Sequence, residues 1–226
     1  MIRAIIFDFD GTLADTIDAL REAINMTMRQ YGYPEHSNEN VRAFINNGAR
    51  ELVRRAMPAE LQDDEALLDR VLADYLKHYA AVYLHTERAY DGIPELISEL
   101  HASGIAIGVL SNKPHAYMER LCAQILPAGV CDAVQGMILG KPAKPDPYLS
   151  RLVADRLGVS PEECVMVGDS DVDIRTAKSA GMIPVSVSWG YRDEAFLRAN
   201  AAEHLAATPD GLRRLLSDLM KEKGSN

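Results

Sequence analysis

Four short apolar runs, at residues 4–7, 105–110, 165–167 and 184–187, constrain this chain more than any other feature. They are rich in β-branched residues and too short for buried helices, so they read as parallel strands covered on both faces. The first three close on polar residues: Asp8, Ser111-Asn112 and Gly168-Asp169. Helical patterns lie between them, at 93–103 and 148–157. Strands alternating with helices predict an α/β fold with a parallel sheet. In open sheets of this kind ligands bind beyond the carboxyl ends of the strands, which is where these polar residues fall.

Residues 15–88 break the alternation. Ile17, Leu20, Ile24, Met28 and Tyr31 keep helical spacing, as do Leu68, Leu72, Tyr75, Tyr79 and Val82. Between them, 40–45 and 49–57 read as two shorter helices meeting at Asn46-Asn47-Gly48, with Pro34 and Pro58 in the connections. The expectation is an all-helical domain, 15–88, inserted after the first strand of a sheet domain made of 1–14 and 89–226. Tyr75, Tyr79 and Tyr83 could line a pocket, but their helical spacing favours the core of the insert. The final KEKGSN reads as a frayed end.

Composition excludes several classes. With 24 Lys and Arg against 33 Asp and Glu, the net charge of −9 argues against a nucleic-acid partner, which needs a basic face. No apolar run approaches the ~18 residues of a membrane span, and the start of the chain lacks the pattern of a secretory signal. The three cysteines form no C-x-x-C pair, which suits inert thiols in a reducing compartment. The six histidines are scattered without metal-ligand spacing. A soluble, cytoplasmic protein is expected, with no membrane partner; the oligomeric state is left open.

Asp8 and Asp10 stand two apart at the mouth of the first strand, so an extended backbone aims both carboxylates the same way. Two like charges ~4 Å apart repel by about 4 kcal/mol at an effective dielectric of 20. Placing them together requires a proton, a cation, or both. A shared site drives their pKa values apart, which separates a nucleophile from a general acid. Asp169, Asp171 and Asp173 add carboxylates beyond another strand of the same sheet. Such a cluster calls for a hard cation with oxygen ligands, best met by Mg²⁺. Ser111 and Asn112 bring hydroxyl and amide donors, and Lys144, in the stiff run Lys-Pro-Asp-Pro, brings a positive charge. Around one point, these groups form a phosphoryl site.

DFDGTLAD at 8–15 resembles the first signature of the haloacid dehalogenase-like phosphatase superfamily. Ser111 after IGVL matches the second, Lys144 in KPDP the third, and GDSDVD at 168–173 the fourth. The resemblance implies a Rossmann-like core, a mobile helical cap and Mg²⁺-dependent hydrolysis of phosphate esters. It implies that Asp8 attacks phosphorus to form an aspartyl-phosphate, and that Asp10 protonates the leaving alcohol and later deprotonates water. Asp8, the Asp10 carbonyl and Asp169 would hold the metal, while Thr12, Ser111 and Asn112 would hold the phosphoryl oxygens. Lys144 would offset charge at Asp8, and Asp173 would orient Lys144 or a metal-held water from behind. Lys141 also precedes a proline, but the distance from Lys144 to Leu157-Gly158 fits the family spacing better.

Asp10 argues against a true dehalogenase, which lacks that acid. An alanine there and an early cap lysine mark phosphonoacetaldehyde hydrolases; here the cap's lysine is Lys77, late in the insert. FINNGARELVRRAM at 44–57, SNKP at 111–114 and GYRDE at 190–194 are similar to phosphoglycolate phosphatases. The leading expectation is therefore hydrolysis of phosphoglycolate or another small organophosphate, with Asn47 and Arg50 selecting the substrate. Sugar-phosphate phosphatase, pyrophosphatase, sugar phosphomutase and a non-catalytic phospholigand sensor stand as alternatives.

Overall fold

The computed structural model describes residues 1–45, 48–86 and 88–224. The chain divides into two compact units, Met1–Ala14 with Ala89–Asn226, and Asp15–Arg88. Strand β1 (Ala4–Phe7) opens the first unit with every residue buried. The chain leaves through β2 (Ala14–Asp15).

The second unit consists of α1 (Ile17–Tyr31), α2 (Asn38–Phe44), α3 (Gly48–Ala56), a 3₁₀ turn at Ala59–Leu61 and α4 (Glu65–Thr86). Helix α1 packs on α4, burying Ile17, Leu20, Ile24 and Met28 at the spacing of one helical face. It ends where Gly32 turns left-handed, φ +69°, letting the Tyr33 N–H reach the Met28 carbonyl at 2.8 Å and satisfy the helix end. Ser37 caps α2 through a reciprocal pair of bonds with Asn40. Along α4, Leu68, Tyr75 and Tyr79 are buried, whereas Leu72 and Val82 stay partly exposed at the margin of the stripe. The rings of Tyr75, Tyr79 and Tyr83 run one over the next, with centroids 6.0 and 5.5 Å apart. These aromatics form core.

The chain returns through β3 (Arg88–Ala89), which pairs with β2 as a two-stranded sheet. The first unit then runs α5 (Ile93–Ala102), β4 (Ala106–Pro114), α6 (His115–Ile125), β5 (Ala133–Met137) and α7 (Tyr148–Leu157). It continues through β6 (Cys164–Gly168), α8 (Asp171–Ala180), β7 (Ile183–Val187), α9 (Glu194–Ala199), β8 (His204–Ala206) and α10 (Pro209–Gly224). Its sheet has the order β5-β4-β1-β6-β7-β8, with all neighbours parallel. This is the expected Rossmann-like α/β architecture. Helix α7 packs against β4 and β1, where Leu149 and Val153 join Ile6, Leu110 and Met166 in a buried cluster.

The central position of β1 places the site. Phe7 is in register with Val109 of β4 and Val167 of β6, so Asp8, Leu110 and Gly168 come next at one edge. From β1 the sheet grows to one side through β4 and β5, and to the other through β6, β7 and β8. That reversal is the switch point where open α/β sheets bind ligands.

Several elements depart from the expectation. Strand β4 does not stop at Leu110; its ladder resumes at Pro114 after a register shift. Strands β5 and β8 lack a continuous apolar run, since Gln135-Gly136 interrupts one and the other has three residues. Gln135 is buried because the Arg156 guanidinium donates to its Oε1 at 2.8 Å. Lys221–Gly224 of the expected frayed end are helical in α10. All three cysteines are free thiols. Cys122 and Cys131 hydrogen-bond to each other, which lowers the Cys131 thiol and, with burial, pushes Cys122 up. Among the described residues no helix is long and apolar enough to cross a membrane.

Candidate active site

The turn that follows β1 is tied to its own backbone: the Leu13 and Ala14 N–H groups both donate to the Phe9 carbonyl at 3.0 Å. Gly11 takes φ +79° in this turn, and a Cβ there would strike the Asp169 carboxylate. Gly190 faces the same constraint, its Cβ position being filled by the Gly11 carbonyl and Asp169. Two backbone segments thus close on Asp169 where only glycine fits. The Trp189 indole donates to the Thr12 carbonyl at 3.1 Å and holds the turn from the side of β7.

Asp8 lies just beyond β1, anchored by its N–H on the Val167 carbonyl at 2.8 Å. Lys144 Nζ reaches it from the other side of β4. The ammonium stands 2.7 Å from Asp8 Oδ1 and 2.7 Å from Asp173 Oδ1, with its side chain 3% exposed. Asp173 lies in the first turn of α8, where its Oδ2 accepts the Ser170 hydroxyl at 2.6 Å and N–H at 3.1 Å. That carboxylate therefore caps a helix with one oxygen and holds the lysine with the other. Lys141, the competing lysine, is exposed and lies over the Tyr148 ring.

Asp8, Asp169 and Asp173 bring ligand oxygens within 4.8 Å of one another, all three residues buried. Burial pushes the Asp8 carboxyl up to about 7, Asp173 adding to the rise and Lys144 opposing it. Burial, then Asp173 and Asp8, push Asp169 up as well. Burial alone would lower Lys144, but Asp173 and Asp8 outweigh it and hold the ammonium above the ordinary lysine range. With all of them ionised, three buried carboxylates against one ammonium carry a formal charge of −2, a deficit that one divalent cation cancels. Asp169 offers a place for it: Oδ2 accepts the Tyr191 N–H at 2.6 Å, whereas buried Oδ1 has no hydrogen-bond partner. A buried carboxylate oxygen left unmatched in this way fits a hard metal ion.

The expected metal set was Asp8, Asp10 and Asp169. Asp8 and Asp169 of that set lie in the carboxylate cluster beside Asp173, and Asp10, expected to contribute its carbonyl, turns its side chain to Lys113, 2.9 Å from Nζ. A part for Asp10 through its carbonyl is compatible with that turn. Thr12 Oγ1 is buried and without a hydrogen-bond partner. Ser111 Oγ is directed at Asp10 Oδ2, 3.5 Å away. Asn112, expected at the phosphoryl oxygens, accepts the Lys144 N–H at 2.9 Å and donates one amide N–H to the Lys144 carbonyl at 3.0 Å. The amide holds the loop that presents the lysine.

Arg50 lies in the helical unit, where it pairs with Glu65 and Asp69 of α4. An anionic substrate would have to displace two carboxylates to use it. Asn47 lies outside the described residues. Sequence reasoning passed over Lys113 and Ser170. Lys113 stands two residues after Ser111, the spacing that puts both on one side of an extended strand, and that spacing was the available signal.

Residues 2–181 match the family model of the haloacid dehalogenase-like hydrolases. Phosphoglycolate phosphatase of Pseudomonas syringae pv. tomato is 34% identical over 217 residues, spanning 95% of this chain and 78% of the relative. Its counterpart in Rhodospirillum rubrum is 37% identical over 201 residues, 86% of this chain and 83% of the relative. Among solved structures, a proposed phosphoglycolate phosphatase of Lactobacillus delbrueckii subsp. bulgaricus superposes with a TM-score of 0.86 at 29% identity, covering 93% of this chain and 96% of that one. CbbY of Rhodobacter sphaeroides, solved with phosphate, gives 0.74 at 28% identity over 92% and 95%. The chain belongs to the haloacid dehalogenase-like hydrolases, in the group that resembles phosphoglycolate phosphatases, and is a phosphoric monoester hydrolase.

Proposed function

We propose that the protein hydrolyses a small phosphate monoester, phosphoglycolate foremost, through an aspartyl-phosphate on Asp8. One observation carries this reading: Lys144 bridges Asp8 and Asp173 beside the unmatched oxygen of Asp169, while Asp10, two residues on, is held by a separate cation. A carboxylate oxygen of Asp8 attacks phosphorus, and the phosphorus–oxygen ester bond breaks. The electron pair stays on the ester oxygen, which takes a proton from Asp10. Asp10 then removes a proton from water, the water oxygen attacks the phosphoryl group, and Asp8 is released as a carboxylate. Lys144 offsets charge at Asp8 throughout. The hydroxyls of Thr12 and Ser111 donate to the phosphoryl oxygens, and Asn112 holds Lys144 in place.

Asp8, Asp169 and the Asp10 carbonyl would hold Mg²⁺. When bound it would neutralise charge on the phosphoryl oxygens and keep Asp8 ionised despite its burial. The helical unit, 15–88, is proposed as the cap that excludes water from the reaction. Under this reading the enzyme works in the cytoplasm, where its thiols stay reduced.

The test is phosphate release with Mg²⁺ from phosphoglycolate, ethyl phosphate, a sugar phosphate, pyrophosphate and xylulose 1,5-bisphosphate, which was bound in a crystal form of CbbY. Asp8→Asn is expected to lose at least 10³-fold in kcat, as nucleophile removal does, with its fold intact. Retained turnover in that variant would overturn the nucleophile assignment. A bisphosphate preferred over phosphoglycolate would move the substrate to the sugar phosphates.

A further inference from the structure

We propose that Trp189 is a positioning residue for phosphoryl transfer: its indole N–H fixes the Thr12 backbone, and through it the hydroxyl that meets the phosphoryl oxygens. The proposal rests on the phosphatase reading above and adds to it a residue outside the four signatures.

Thr12 is completely buried, yet its Oγ1 has no hydrogen-bond partner. A buried hydroxyl in that state is matched only by a group that arrives from outside the fold. Its direction depends on the Thr12 backbone, which the turn holds weakly from within. The N–H groups of Thr12, Leu13 and Ala14 all converge on the Phe9 carbonyl, at 3.3, 3.0 and 3.0 Å. One carbonyl has two lone pairs for these three donors, and Thr12 makes the longest of the bonds. Gly11, just before it, takes φ +79° and brings the conformational freedom of glycine.

The restraint comes from outside the turn. The Thr12 carbonyl accepts the Trp189 indole N–H at 3.1 Å. Trp189 stands two residues past β7, where the Ser188 N–H donates to the Ala206 carbonyl of β8 at 3.0 Å. The indole is therefore carried by the sheet, and a group held on a strand keeps its place better than one held on a loop. The next two residues continue the grip. Gly190 lies against the Gly11 carbonyl, and the Tyr191 N–H donates to Asp169 Oδ2 at 2.6 Å. Three consecutive residues thus join the Thr12 turn to Asp169. The contacts of Gly190 and Tyr191 are made by backbone, whereas that of Trp189 is made by a side-chain donor, so a substitution can remove it alone.

A tie that served stability only would change the thermal midpoint and leave turnover as it was. A tie that aims the Thr12 hydroxyl acts on the rate, because a displacement of ~1 Å can cost about 10²-fold.

The experiment measures kcat and KM, with Mg²⁺ and the full chain, for the ester that wild type prefers in the panel above. Wild type, Trp189→Phe, Thr12→Val and the double variant are compared well below their thermal midpoints. Trp189→Phe keeps an aromatic ring without the donor, and is expected to lose about tenfold in kcat with KM within about threefold. In the Thr12→Val background the same change is expected to cost less than about twofold, since residues that act through one hydroxyl are not additive. Losses that multiply would overturn the proposal. So would a Trp189→Phe enzyme with the wild-type kcat and a lowered midpoint. The chain has one tryptophan, so growth on benzothienylalanine replaces that N–H by sulfur at this position alone and keeps the shape of the ring. This protein is expected to repeat the Trp189→Phe loss, and serves in its place if that variant does not fold; an unchanged kcat would overturn the role of the N–H. A wild type inactive on every ester strikes the phosphatase reading instead. The single indole cross-peak of a proton–nitrogen NMR spectrum then tests Trp189 separately. Inorganic phosphate with Mg²⁺ is expected to shift it in wild type and not in Thr12→Val. A peak left in place, in protein that calorimetry shows to bind phosphate, would overturn the proposal.

Discussion

Two clusters of charge in this protein have nearly the same ingredients and opposite physical character. At the strand ends, Asp8 and Asp173 hold Lys144, and Asp169 lies beside the two carboxylates. In the helical unit, Arg50 and Arg54 pair with Glu65, and Arg50 also with Asp69. The side chains of the first ion pairs are 3–10% exposed, and those of the second are 23–67% exposed. Water screens the second cluster, so each pair simply favours its own charged state, and Glu65 sits below the ordinary carboxylate range because of Arg50 and Arg54. In the first, burial outweighs the lysine and pushes Asp8 up to about 7. The exposed cluster is already balanced. The buried one is short of positive charge, which makes it a site for a cation and a phosphoryl group rather than a structural tie.

Removing the cation should separate the clusters most. Lys144→Met leaves Asp8 and Asp173 facing each other unneutralised, and breaking such a buried pair costs about 3–5 kcal/mol. The expected result is a thermal midpoint about 10 °C lower and a kcat on phosphoglycolate reduced at least 10³-fold. A folded, active Lys144→Met enzyme would erase the distinction between the two clusters. Next in size is the response to pH with a chelator present. In the fold Asp8 keeps its proton up to about pH 7, whereas the unfolded chain loses it in the ordinary carboxylate range. Between those values the native state binds the extra proton, so this stability is full at the acid end and is lost as pH rises through 7. Burial moves Asp169 in the same direction. The midpoint of the chelated protein should therefore fall by several degrees from about pH 5 to about pH 8, and saturating Mg²⁺ should flatten the drop. A midpoint that rises over that window would contradict the charge deficit. The smallest effect belongs to Arg50→Ala: a shift on the order of 1 °C and kcat/KM for phosphoglycolate within about twofold. A tenfold loss would return Arg50 to the substrate.

The parallel sheet was legible because strands buried on both faces must be apolar along their length, and 4–7 and 165–167 are. Strand β8 was not, because three residues carry too little pattern. Strand β5 hid behind Gln135, whose burial depends on Arg156 of α7, a partner that local sequence cannot announce. The carboxylates of the site stood out by type and by position at strand ends. The tie from Asn112 to the Lys144 backbone did not, since those partners are brought together only by the fold.

By itself the sequence determined the α/β class, the helical insert and the set of acids and lysine that meet at one sheet edge. Those follow from period, length and residue type, which act over a few neighbours along the chain. Tertiary structure decided how the charges are shared: Lys144 to Asp8 and Asp173, Lys113 to Asp10, Arg50 to Glu65 and Asp69. Each pairing depends on distances between segments far apart in the chain and on how much water reaches them. Both are properties of packing, and no local pattern encodes either.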